Sequence, residues 1–269
     1  MTKKPDGSST SSAGDNGRLS GKRVVVTGAG SGIGRATSMR LIDEGAIVLG
    51  VDRDHGGLEG TASLVREAGF DGGNFSFAVG SILDEAFLKE TFEKFAAAAG
   101  GLDVLVNLAG ILRLSKVEDT SLAAFLEIVT VNLGGTFLVS KEAMSLLEAS
   151  QGCIINAAST SALFGHPYVG SYAASKGGII SLTKAMAWEF MRRGVRVNAV
   201  APGAIATPMQ SGPSGFPAGA DFSLFDHLTL PGGAEGRAEH VAGVIAMLAS
   251  EDGRHINGEV IRIDGGLHS

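Results

Sequence analysis

Thr27-Gly28-Ala29-Gly30-Ser31-Gly32-Ile33-Gly34 stands between an apolar run, residues 23–27 (RVVVT), and a helical pattern that begins at residue 33. Glycines let a backbone turn tightly and bring its amide N–H groups against a diphosphate at the positive end of a helix. The string is not the G-x-G-x-x-G fingerprint, because the sixth position counted from Gly28 is Ile33. It reads TGxxxGxG. Its place between the first strand and the first helix, more than its glycine content, marks it as a phosphate loop and not an ordinary turn. Gly28, Ser31, Gly32, Ile33 and Gly34 are therefore candidate contacts with a dinucleotide.

Outward from this loop the chain alternates. Short β-branched runs fall at 23–27, 46–51, 74–79, 103–106, 153–157, 195–200 and 259–263, with helical patterns at 33–44, 57–68, 84–98, 121–148, 171–193 and 237–249. Continuous apolar strands separated by helices predict a parallel sheet covered on both faces. With no break in composition, the expected fold is α/β: a single doubly wound, Rossmann-type domain over residues 19–269, with a seven-stranded parallel sheet flanked by helices on both faces. Residues 1–18 are rich in Ser, Gly and Asp with almost no apolar content, which predicts a disordered tail. The connection 206–236 carries Pro208, Pro213, Pro217 and Pro231 without periodicity. Loops of this length act as lids or binding loops, and Phe216, Phe222 and Phe225 predict closure over something apolar.

Composition narrows the function. Of 269 residues, 44% are apolar, enough for a full core, and 40 are glycine, about twice the usual share of ~7%. The net charge of −6 without a dense Lys/Arg stripe argues against nucleic acid as a partner. The single cysteine, Cys153, excludes an internal disulfide, and six scattered histidines offer no metal-ligand pair, so no metal is expected. No uninterrupted apolar run approaches the ~20 residues of a membrane span, and the N-terminus has no apolar signal core. The expectation is a cytoplasmic protein without a membrane or nucleic-acid partner.

Two further features carry chemistry. Asp52 closes the second apolar run, where a carboxylate can accept both ribose hydroxyls of an adenosine and repel a 2′-phosphate. This favours NAD; Arg53, next in the chain, could pair with such a phosphate and leaves NADP open. Tyr172 and Lys176, in YAASK, lie at i and i+4 on one helix face. A phenol with its ordinary pKa near ~10 is a poor base at neutrality, and an adjacent ammonium favours the phenolate. YxxxK occurs by chance, but the chain has only two tyrosines, Tyr168 and Tyr172, and only the second has the lysine. Ser159, just past the apolar strand CIINA, can hold a substrate oxygen while Tyr172 gives or takes the proton. No GxSxG elbow surrounds it, which disfavours a hydrolase. His166, Cys153, Met186 and Trp188 are read as structural, the last two in the core or at a subunit interface, and the acids of 84–90 as a solvated helix face.

Together these residues resemble the short-chain dehydrogenase/reductase family over about residues 20–266. The ordered set is TGAGSGIG at 27–34, NLAG at 107–110, VNLGGTF at 131–137, Ser159, YAASK at 172–176, VNAVAPGAIAT at 197–207 and IDGG at 263–266. The resemblance implies a strand order 3-2-1-4-5-6-7 and a catalytic tetrad. In it Asn132 stabilises a helix kink and a relay water, Ser159 binds the substrate oxygen and Tyr172 is the acid/base. Lys176 bonds the nicotinamide ribose and tunes Tyr172. It further implies that Pro202, Gly203, Ile205 and Thr207 line the nicotinamide, and that Asn107, Ala109 and Gly110 back the adenosine ribose. Two departures bear on cofactor affinity: Leu108 replaces the second asparagine of the family's NNAG, and Ser81 with Ile82 stands where the family has an adenine-contacting aspartate. A homotetramer paired through helices 121–148 and 171–193 and the last strand is the family expectation.

The resulting expectation is an NAD-dependent oxidoreductase that moves hydride between the nicotinamide and a secondary alcohol or ketone. Leu163, Phe164, Met209 and the loop phenylalanines would line an apolar mouth. The rival readings are an NADPH-dependent 3-oxoacyl thioester reductase and a non-catalytic NAD-binding sensor.

Overall fold

The computed structural model describes residues 17–209, 215–229, 233 and 235–269. The first strand, β1 (Arg23–Thr27), alternates its side chains across the sheet: Val24 and Val26 enter one apolar core and Val25 the other. A strand buried on both faces needs neighbours on both sides, and β1 has β2 (Ile47–Asp52) on one side and β4 (Val104–Asn107) on the other, both parallel. With β3 (Phe75–Val79), β5 (Cys153–Ala157), β6 (Arg196–Pro202) and β7 (Val260–Ile263), the sheet runs β3-β2-β1-β4-β5-β6-β7, the order the resemblance implied. The order reverses between β1 and β4, and in open α/β sheets that switch point opens a crevice at the carboxyl ends of the strands.

Helices α1 (Gly32–Asp43), α2 (His55–Glu67) and α7 (Ala238–Ala249) cover the Val24/Val26 face. The other face is covered by α3 (Glu85–Ala99), α5 (Gly135–Ser150) and α6 (Gly170–Phe190). Asp84 caps α3 by accepting from the Phe87 amide, and Glu85 and Glu90 are exposed, as a solvated face requires. Cys153 is a buried core residue and Met186 is buried, whereas Trp188 is 77% exposed and does not pack in this chain's core.

The helix expected over 121–148 is interrupted. After α4 (Leu122–Val129), residues Thr130–Gly134 form a π-helical turn before α5 resumes the α-helical path. The cause is Asn132, which turns inward and bonds both backbone groups of Ile111. By length and composition the combined helix Leu122–Ser150 is apolar enough to cross a membrane, although the sequence holds no uninterrupted apolar run of that length. Val139, Ala143, Met144 and Leu147 face the core, and Lys141 pairs with Glu85 and Glu142, so the helix covers the sheet and carries charges on its outer side.

Two boundaries differ from the expectation. Of the tail 1–18, residues 1–16 lie outside the described residues; Gly17 and Arg18 are held in place. The Arg18 guanidinium bonds Glu44 at 2.6 Å and Asp252 at 3.0 Å, so two distant acids fasten the residues just ahead of the buried Leu19. The loop 206–236, of which 210–214, 230–232 and 234 lie outside the described residues, is not irregular throughout. Phe222–Leu228 form a 3₁₀ helix, started by Asp221 accepting from the Ser223 amide.

Candidate active site

The glycine loop sits at the β1/β4 switch point, where the absence of side chains lets backbones close up. Gly28 has φ +72°, and a Cβ there would stand 2.9 Å from the Ala109 nitrogen. A Cβ on Gly34 would overlap the Gly28 carbonyl oxygen, and one on Gly32 (φ +48°) would press on Thr207 at 3.3 Å. Thr27 Oγ1 accepts from the amides of Leu108 (3.1 Å) and Ala109 (3.2 Å), fastening the NLAG turn to the loop. The Leu108 side chain packs against the core, so this departure adds apolar contact at the turn.

Asp52 ends β2 at the rim of the loop. Its carboxylate accepts from the Gly30 amide at 3.0 Å and the Asp54 amide at 3.1 Å, which aims it across the place where an adenosine ribose would lie; Arg53 is exposed beside it. Arg35 supports the loop from the α1 side, donating to Thr61 Oγ1 at 3.0 Å, to the Gly57 carbonyl at 3.2 Å and to the Gly30 carbonyl. No motif marks this arginine in the sequence. Asn107 Nδ2 donates to Ser140 Oγ (3.0 Å) and Asn156 Oδ1 (2.9 Å), while its own Oδ1 is buried without a partner. On the nicotinamide side, Pro202 ends β6, the Gly203 amide donates to Ile263 O at 2.9 Å, and Ile205 bridges Gly236. Ser81 is exposed and accepts from the Leu83 amide at 3.2 Å; Ile82 packs on Gly135, where a Cβ would overlap its Cδ1. Ile82 is thus tied to α5 by its side chain. The side-chain-free cradle, the aimed carboxylate and the unpartnered Asn107 oxygen fit a dinucleotide.

The tetrad converges beside this cradle. Asn132, fully buried, accepts from the Ile111 amide at 2.8 Å and donates to the Ile111 carbonyl and Ser175 Oγ, each at 3.0 Å. Lys176 Nζ donates to the Ala157 carbonyl at 2.7 Å and lies 5.5 Å from the centre of the Tyr172 ring. A Cβ on Gly110 would stand 3.1 Å from Asn132 Oδ1 and 3.7 Å from Lys176 Nζ, so these three residues meet at one point. Ser159 neighbours the Tyr172 phenol, and its Oγ accepts from the Ser161 amide (3.2 Å) and hydroxyl (3.0 Å). Desolvation pushes the Tyr172 phenol up to about 12, and the neighbouring Ser159 opposes it. Burial pulls the Lys176 ammonium down to about 8. At neutral pH the pair therefore rests as neutral phenol beside ammonium, poised to donate a proton to an alkoxide or, with more positive charge nearby, to accept one.

The loop that follows β6 brings an aromatic cluster against Tyr168, four residues before Tyr172. Phe216, Phe222 and Phe225 cluster with centroids 5.0–6.4 Å apart, and Tyr168 lies 6.0 Å from Phe225. Leu163 and Met209 are exposed. Phe164, expected in the open mouth, is half-buried with a face stacked on His268. His166 is half-buried next to the same histidine, and burial followed by the neighbouring His268 and His227 lowers its pKa, which weighs against a role as acid.

A strand order of this kind with a tyrosine, a lysine, a serine and an asparagine gathered at the switch point defines a nucleotide-dependent oxidoreductase. A family model described as enoyl-(acyl carrier protein) reductase matches residues 28–268. The 3-oxoacyl-[acyl-carrier-protein] reductase FabG of Thermotoga maritima is 39% identical over 251 residues, covering 93% of this chain and 99% of that protein. The crystal structure of levodione reductase superposes with a TM-score of 0.83 at 33% identity, over 92% of this chain and 97% of that one. That of 3-ketoacyl-(acyl-carrier-protein) reductase from Brucella melitensis, complexed with NADH, gives 0.83 at 30% identity, over 93% and 100%. The chain belongs to the short-chain dehydrogenase/reductase family and is an oxidoreductase acting on CH–OH groups.

Proposed function

We propose that the protein is an NAD-linked dehydrogenase that interconverts a compact, uncharged secondary alcohol and its ketone. The observation that carries this reading is the meeting of Tyr172, Ser159, Lys176 and Asn132 beside a dinucleotide cradle whose rim holds a carboxylate. When bound, the oxidised nicotinamide accepts a hydride from the carbinol carbon. Ser159 and Tyr172 together hold the alcohol oxygen, and the Tyr172 oxygen takes its proton; in reduction the phenol returns it. Lys176 places an ammonium 5.5 Å from the Tyr172 ring centre and, beside Gly110, would face a nicotinamide ribose; the phenolate, which burial disfavours here, would need the further positive charge of an oxidised nicotinamide. Asn132 keeps the Ile111 backbone and Ser175 in register with the tetrad. Gly28, Ser31, Gly32, Ile33 and Gly34 would hold the diphosphate and Asp52 the adenosine ribose, with Asn107, Ala109 and Gly110 behind it. Pro202, Gly203, Ile205 and Thr207 would line the nicotinamide.

The likeness to FabG keeps a second reading in play, an NADPH-dependent 3-oxoacyl thioester reductase. Two features favour the first. Asp52 repels a 2′-phosphate. The described lid residues 215–229 contain the exposed acids Asp221 and Asp226 and neither lysine nor arginine, a poor match for a phosphate-bearing thioester carrier. The lid aromatics support an apolar substrate. The deciding experiment measures initial rates with NAD and NADP on 2,3-butanediol, cyclohexanol and 3-hydroxybutyryl-CoA. Turnover of an uncharged alcohol with NAD supports the proposal; NADP-linked turnover of the thioester alone overturns it. The reading includes a cytoplasmic location and a homotetramer, the latter supported by the exposed Leu122, Leu126, Phe137 and Trp188 on α4, α5 and α6.

A further inference from the structure

Residues 163–168 connect Ser159 to the helix that begins just before Tyr172, so their position sets the width of the substrate mouth. This short segment is fastened from three sides. The lid holds it twice, where the Asp221 amide donates to Tyr168 Oη at 2.7 Å and His227 Nε2 meets the Gly165 carbonyl at 3.0 Å. The β4–α4 connection holds it through the Ser115 amide, which donates to the Tyr168 carbonyl at 2.9 Å. Tyr168 needs such fastening, because its φ of +63° is a left-handed conformation that a tyrosine rarely adopts.

The third fastening comes from the far end of the sequence. Past β7, Asp264 closes a turn by accepting from the Gly266 amide at 3.0 Å, and its other oxygen meets His268 Nδ1 at 3.0 Å and Arg262 Nε at 3.2 Å. The imidazole so oriented lies flat on the Phe164 ring, centroids 4.0 Å apart and planes 8° apart, with the His166 ring 5.6 Å away. The side chain of His268 is 8% exposed, and the Arg262 guanidinium stands 5.5 Å from the Phe164 centroid. An acid thus orients a histidine whose aromatic contacts, among the described residues, both lie in the segment between Ser159 and Tyr172.

We propose that His268 is a positioning residue for the substrate: its stack on Phe164 holds segment 163–168 so that the alcohol reaches Ser159 and Tyr172 in one orientation. The turn Asp264–His268 is then part of the substrate mouth and not a mere end of the sheet. This rests on the reading of Ser159 and Tyr172 as the reacting pair, so the test has one arm that needs no substrate.

Amide hydrogen exchange is followed on the full chain, comparing wild type with His268→Ala, His268→Gln and His268→Phe. Gln keeps a donor for Asp264 and loses the stack; Phe keeps the stack and loses the donor. In the Ala and Gln variants, amides of 163–168 exchange about five- to tenfold faster while the glycine loop 27–34 is unchanged, and Phe restores the wild-type rate. In steady state, with whichever alcohol of the panel above reacts, KM rises about five- to tenfold in Ala and Gln, with kcat and NADH affinity within about twofold and rescue by Phe. Unchanged exchange at 163–168, or a Phe variant that behaves like Ala, overturns the proposal. So does a fall in Tm with KM unmoved, since that marks a role in stability alone. If no alcohol reacts, the activity reading fails, and the exchange data still decide the fastening.

Discussion

Replacing Lys176 by methionine should make the protein more stable at neutral pH and less stable at high pH. The wild-type ammonium is 4% exposed, and burial lowers its pKa from 10.5 to about 8. At ~1.4 kcal/mol per tenfold change in an ionisation constant, the folded state carries a penalty of about 3 kcal/mol for the charged form. Below pH 8 the lysine is charged in folded and unfolded chains alike and the penalty is complete. Between 8 and 10.5 the unfolded chain still binds the proton and the folded one does not, so wild-type stability rises with pH and the penalty has gone above 10.5. Methionine matches the lysine's length without the charge, but deprives the Ala157 carbonyl of its 2.7 Å donor, a loss of about 1–2 kcal/mol. The net at pH 7 is a gain of about 1–2 kcal/mol, or a Tm some 2–8 °C higher for a domain of this size. At pH 10.5 only the loss remains and the order reverses. Tyr172, whose raised pKa acts with the opposite sign from pH 10 to 12, is common to both proteins. Thermal unfolding of both, at matched protomer concentration across pH 7–10.5, measures this directly. A variant less stable at pH 7, or a difference that does not change with pH, would refute the reasoning that the buried lysine is held at a cost in stability.

Tyr172→Phe removes the proton donor while leaving the cradle intact; turnover with any reactive alcohol should fall by about 10²–10⁴, with NADH affinity from fluorescence titration unchanged. Retained turnover would refute Tyr172 as the acid/base, and NADH binding without turnover of any alcohol by the wild type would favour the sensor reading. Asn132→Ala leaves the part-buried Ile111 amide and carbonyl without their side-chain partner, which should lower stability by about 1–3 kcal/mol in denaturant unfolding. Gly34→Ala places a methyl group on the Gly28 carbonyl and should weaken NADH binding at least about tenfold, with the far-ultraviolet circular dichroism of the wild type retained.

The sheet was legible because its strands are runs of β-branched residues separated by helix-length patterns, and β1 and β5 begin and end where those runs do. The neighbourhood of Tyr172 and Lys176 was legible because a tyrosine is rare in this chain and its lysine sits one helical turn away. What the sequence concealed depends on contacts between distant residues. TVNLG reads as ordinary helix, and only the bonds from Asn132 to Ile111 explain why the turn widens there. Arg18 falls in a polar stretch and is fastened by Glu44 and Asp252, which no local pattern relates to it. The 3₁₀ helix of the lid is too short to display a period, and Phe222 and Phe225 read as mouth residues without an element to carry them. His268 carried no signal at all, since its role follows from Phe164 lying beneath it.

The π-helical turn has a bearing on how this protein could be altered or could diverge. One residue of an α-helix advances about 100° around its axis, and the widened turn absorbs an extra residue without that rotation between two halves of one rod. It lets α5 present Val139, Ala143 and Leu147 to the sheet while α4 keeps Ile128 inward. Deleting one residue of Thr130–Gly134 would regularise the backbone: the five residues of the widened turn rotate about as far as four of an α-helix, so α4 and α5 would keep their inward faces. What would be lost is the widened turn that carries Asn132 to the Ile111 backbone and Ser175. A one-residue gap in this segment among related chains is therefore a change of architecture at the catalytic centre, whereas gaps of the same size in the lid alter only what the mouth admits.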